Sequence, residues 1–208
     1  MITIFSLGLI SCEKEEITKT IELSLEERMN NIYKLNESII IFDNFSKKKN
    51  LNSKSNQKEE QKIISNVVEN SKVIFDHLGI KEQELLNIVN ESNEVVSTDD
   101  IYVAFGLALI SSYNSSNLDV ANKTCFMKRG DVGDCLMEAT GLNALVALGD
   151  AAYALYGGEV AAGWAVDSAA ASALRAAAFS TAKKVILRAA GGFGAVIMLA
   201  QFTNCMLS

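Results

Sequence analysis

The chain has no proline in 208 residues, where average usage of about 5% would place roughly ten. That excludes most folds built from many Pro-marked turns and favours long helices. Histidine occurs once, at His77, and tryptophan once, at Trp164. A single histidine removes most His-based catalytic triads and His-rich metal sites. Basic side chains are outnumbered, 19 to 25, and the formal charge is −6. A nucleic-acid backbone would meet no general electrostatic attraction, so no nucleic-acid partner is expected. The chain lacks GxSxG, P-loop and Rossmann glycine patterns, and nothing around His77, which lies between Asp76 and Leu78, suggests the nucleophile or acid that the fold would have to bring to it. No catalytic residue, cofactor or metal is therefore assigned, and a surface or helix-cap role is expected for His77. Hydrophobic residues make up 49%, enough apolar surface to offset the chain entropy lost on folding.

The sequence opens MITIFSLGLISC, an apolar run ending at Leu9-Ile10-Ser11-Cys12 with no Lys or Arg before the cysteine. A polar stretch, Glu13-Lys14-Glu15-Glu16, follows at once. The run resembles the signal of bacterial lipoproteins, in which small or apolar residues precede a cysteine. The resemblance implies a signal peptide over 1–11, lipidation of Cys12, and a tether over 12–23 that holds the protein to a membrane. Lys14, Glu15 and Glu16 resemble the Lys-acidic-acidic tag of surface-exported lipoproteins in some Gram-negative bacteria. That implies an outer-membrane lipoprotein, facing either the surface or the periplasm.

Beyond the tether the composition changes sharply. Three alanines (Ala104, Ala108 and Ala121) precede residue 124, whereas twenty-one follow residue 138. Two regions are expected: an acidic helical region over 24–123 and an Ala/Gly-rich, cysteine-containing helical region over 124–208. In the first, Leu25, Met29, Ile32, Leu35, Ile39 and Phe42 recur at helical spacing, after a Ser24/Glu27 capping box. Residues 46–58 read as a mobile basic loop. A second helix ends at Gly79, a third covers Leu85 to Val89, and a fourth starts at Ser97 or Thr98 with Asp99 and Asp100 at its positive end. The fourth helix contains IYVAFGLALI, too short to span a bilayer and therefore expected in the core.

In the second region helices are expected near 134–156, 159–190 and 193–205. The order of Glu159 and Asp167 before Arg175, Lys183, Lys184 and Arg188 suits a helix dipole. Ala161, Ala165, Ala169, Ala173 and Ala177 form a small-residue ridge suited to close helix packing. The fold class expected is all-α, a helical bundle with an Ala/Gly-rich C-terminal hairpin. Outside the cytoplasm Cys125, Cys135 and Cys205 are disulfide candidates: Cys125–Cys135 would close a tight loop, and Cys135–Cys205 would staple the last helix to the hairpin. Within the loop, Arg129-Gly130-Asp131 resembles an integrin-recognition tripeptide, and Asp131 and Asp134 lack the further acidic ligands of a calcium site.

Three functional classes follow. The leading one is a non-enzymatic binding or structural module on a lipid anchor, possessing a membrane contact and room for a protein partner. The second is a membrane-active antibacterial protein, since the Ala/Gly-rich region resembles pore-forming bacteriocin segments in composition and carries Tyr153, Tyr156 and Trp164 for an interface. Asp150, Glu159, Asp167 and Arg175 interrupt that region, and only 189–208 runs uncharged for twenty positions. The third is an envelope enzyme of unrecognised chemistry.

Overall fold

The computed structural model describes residues 23–48, 54–92, 97–116, 132–157, 169–190, 192 and 194–207. Among these the protein is all-α. The helices are α1 (Leu25–Lys48), α2 (Lys54–His77), α3 (Glu82–Glu91), α4 (Thr98–Ser116), α5 (Val132–Thr140), α6 (Asn143–Tyr156), α7 (Ala169–Ala190) and α8 (Ala195–Leu207).

Local chemistry sets most of the helix ends. At α1 the Ser24 hydroxyl accepts the Glu27 N–H (3.2 Å), while the Glu27 carboxylate accepts the Ser24 N–H (2.8 Å). This is the reciprocal capping box, and it holds the Glu27 carboxyl below the usual range. At the end of α2, Gly79 adopts φ +75°. Its N–H reaches Asp76 O, and the Ile80 N–H reaches Phe75 O (2.9 Å). Both are bonds of a Schellman motif, which needs a left-handed residue. At α4 the Ser97 hydroxyl accepts the Asp99 N–H at 3.1 Å, so Ser97 is the cap.

Three expectations about the elements are corrected. Residues 46–48 and 54–58 are helical, extending α1 and α2 into the stretch read as a basic loop. The Asp43–Lys47 pair, one turn apart at 2.9 Å, supports that last turn of α1. The helix expected over 134–156 is two helices. Gly141 (φ +66°) ends α5, and the Thr140 hydroxyl accepts the Leu142 N–H beyond the break. The last correction concerns Arg175. Rather than serving its own helix's negative end, it donates to Leu78 O at the end of α2 (3.4 Å). Its cation thus serves another helix's negative end. Arg188 packs its guanidinium against Gly141 in the same manner.

The middle helix organises the core. In α4, Ile101 to Ser112 is buried without interruption, and α4 touches every other described helix. Two close approaches flank it. A methyl group on Gly106 would lie 2.3 Å from Ser71 Oγ of α2, and one on Gly149 of α6 would lie 2.3 Å from the Ala108 carbonyl oxygen. Gly106 and Ala108 are two residues apart, roughly 200° around the helix, so α2 and α6 press on α4 from different sides. A single cluster of buried apolar residues runs from Ile32 to Met206 and joins the acidic and Ala-rich regions. Cys135 of α5 is disulfide-bonded to Cys205 of α8, with Cα atoms 5.4 Å apart.

Candidate functional site

The small residues of α6 and α7 divide their work. On α6, Leu145, Leu148, Gly149, Ala152 and Tyr156 are buried, and Gly149 brings the helix onto α4. On α7, Leu174, Ala178, Ala182, Val185 and Ile186 are buried. Ala147, Ala151 and Ala154 of α6 face Ala173 and Ala177 of α7 across a groove of about 1040 Å³. Over its described part the alanine ridge lines this space, while α6 and α7 remain in contact with each other and both pack on α4. The closest approach that glycine permits here is between α6 and α4, at Gly149.

The groove is apolar along its length and polar at identifiable points. Leu148 and Leu174, each 3% exposed, form its floor. Arg188 lies against Gly141, just before α6 begins, so the C-terminal part of α7 runs beside the N-terminal part of α6. At that end Ser180, Thr181 and Lys184 line the groove with Ala144. The start of α6 has no side-chain cap, leaving the positive pole of its dipole there. Midway stands Asp150, whose carboxylate accepts a hydrogen bond from Ser112 Oγ (2.7 Å). Ser116, Tyr153 and Leu155 line the opposite end.

Tyr153 belongs to a ladder of three rings. Tyr33 and Tyr113 meet edge to face at 5.8 Å between centroids, and Tyr113 and Tyr153 at 6.0 Å. Burial, followed by the Tyr33 hydrogen bond, pushes the Tyr113 phenol above the usual tyrosine range. Tyr156 is turned away from the groove. It accepts a hydrogen bond from Asn31 Nδ2 (2.9 Å) and stacks obliquely near His77. Burial raises its phenol, and the Asn31 bond opposes that shift.

The residues singled out from sequence are scattered. His77 closes α2, with Nδ1 2.6 Å from Val73 O, the helix-cap position expected. Cys135 takes Cys205 as its partner, which excludes the Cys125–Cys135 loop. Asp134 lies in the first turn of α5. Cys12, Lys14, Glu15, Glu16, Cys125, Arg129, Gly130, Asp131, Glu159, Ala161, Trp164, Ala165 and Asp167 lie outside the described residues. Among the described residues no cluster of His, Cys, Asp and Glu has the makings of a metal site. No described helix is long and apolar enough to cross a membrane. The role of Thr181 at the groove was not read from sequence, and Lys184 was read only as a dipole partner; nothing local marks either as lining a cavity. Compared with protein-family models, curated proteins and solved structures, the chain matches none of them.

Proposed function

We propose that this protein is a lipid-anchored, non-enzymatic binding module of the cell envelope, and that its ligand occupies the groove between α6 and α7. The observation that carries the reading is the groove itself: a largely apolar cleft of about 1040 Å³ with a few polar groups at fixed places, the usual character of a small-ligand site. The Cys135–Cys205 disulfide supports an address outside the reducing cytoplasm. The lipoprotein-like start supports an anchor at Cys12, and the tag-like Lys14, Glu15 and Glu16 support display at the outer surface.

Three measurements test this. Cys12→Ala should move the protein from the membrane fraction to the soluble fraction, and replacing Lys14, Glu15 and Glu16 with alanine should protect it from protease added to intact cells. Native mass spectrometry of the purified protein should detect a bound small molecule that is lost in Ala151→Trp, which fills the groove from an exposed position. A protein that stays membrane-bound as Cys12→Ala sinks the anchor. Dye release from liposomes by the full chain would favour the membrane-active reading, in which the Ala/Gly-rich region inserts.

A further inference from the structure

The identity of the ligand follows from how polarity is distributed along the groove, and it rests on the binding-module reading above. We propose that the α6–α7 groove binds a long-chain fatty carboxylate, its head at Lys184 and its tail along the facing alanines.

The walls fit a tail. From Ala170 to Lys184 the α7 wall rises about 21 Å, and Ala170, Ala173 and Ala177 line roughly its first half opposite the alanines of α6. Methyl-lined walls over a leucine floor offer a largely apolar surface, interrupted midway by Asp150, which suits an unbranched aliphatic chain.

The head is fixed by charge. Lys184 has no ion-pair partner among the described residues, and it shares one turn of α7 with Thr181. Thr181 is 3% exposed, lines the groove, and makes no hydrogen bond among the described residues. Its hydroxyl is open as a donor at the groove, and a carboxylate oxygen would accept it. The uncapped start of α6 stands at the same end and favours an anion. Asp150, negative and already bonded to Ser112, repels a carboxylate from the middle of the groove. The head is therefore sent to the Lys184 end, and the tail runs toward Tyr153.

The test uses the full chain with Cys12→Ser, so that no anchor competes. Laurate and its neutral counterpart lauryl alcohol are titrated below their aggregation limits by isothermal titration calorimetry. Laurate is expected to bind one to one and more tightly than the alcohol. Lys184→Gln should weaken laurate about tenfold, the scale of one charge-assisted hydrogen bond, and leave the alcohol unchanged. Ala151→Trp should abolish binding of both. Both positions are exposed, and a thermal melt of each variant verifies the fold. Equal affinity for laurate and alcohol, with no effect of Lys184→Gln, would overturn the carboxylate while leaving the groove as a ligand site. Laurate binding that survives Ala151→Trp would overturn the location. A dimer that Ala151→Trp dissociates would give the groove to a second copy of the chain and overturn the proposal.

Discussion

Gly149 and Asp100 show how much single residues decide in this bundle. A Cβ at position 149 would meet the Ala108 carbonyl oxygen, a backbone atom that cannot rotate away. Gly149→Ala must separate α6 from α4 or distort one of them, and overpacking of this kind costs about 1–3 kcal/mol. The expected result is a lower urea midpoint with an unchanged m-value. Asp100 joins two helices: Oδ2 accepts the Ser97 N–H at the start of α4 (3.4 Å), and Oδ1 accepts the Ala195 N–H at the start of α8 (2.6 Å). Burial pushes its carboxyl above the usual range despite both bonds. A raised folded-state value means that the folded protein holds the proton more tightly than the unfolded chain does. The contribution of Asp100 is therefore fully present below the ordinary aspartate value of about 3.9 and declines as pH rises through the higher folded value. Urea denaturation of wild type and Asp100→Asn, compared from acid toward neutrality, should show the wild type losing ground to the variant across that window. A difference that stays constant with pH would show that Asp100 does not titrate in this manner.

At the level of helices, the legible parts of the fold were those with signals confined to a few neighbouring residues. Ser24 with Glu27, Gly79, and Ser97 with Asp99 and Asp100 each mark an end through a bond to a residue close by in sequence, so α1, α2 and α4 could be read directly. The Ala-rich region resists such reading because small residues occur on every face of 169–178. No stripe identifies the core side until Leu174, Val185 and Ile186 are seen against α3 and α4. The groove was illegible for a deeper reason: it is a space between two helices, set by how both pack on α4, and no residue encodes it alone. The disulfide was one of three pairings that sequence left open to Cys125, Cys135 and Cys205, and the fold decides it by setting α5 against α8. It closes a sequence separation of 70 residues, and on the chain-entropy model its removal costs roughly 4 kcal/mol. Reduction with dithiothreitol should lower the unfolding free energy by about that amount in urea titrations; an unchanged midpoint would mean that the link adds nothing to this packing.

Over the whole molecule, α4 binds the two compositional regions into one body. A fragment spanning 124–208 lacks α4, and with it the surface that covers Leu145, Leu148 and Gly149. Such a fragment should melt without a cooperative transition, whereas 13–208 should unfold in one step; differential scanning calorimetry distinguishes the two. Liposome experiments on the fragment would consequently report on an unfolded chain. The placement of α8 bears on when the body forms. Phe202 and Met206 close the seam between α1 and α4, beside Ile39 and Ile110, and Cys205 is the thiol that Cys135 awaits. Without α8 the other helices would leave that seam open and Cys135 without its partner, so this one helix acts as the latch of the bundle: the core shuts, and is then locked covalently, only when α8 docks.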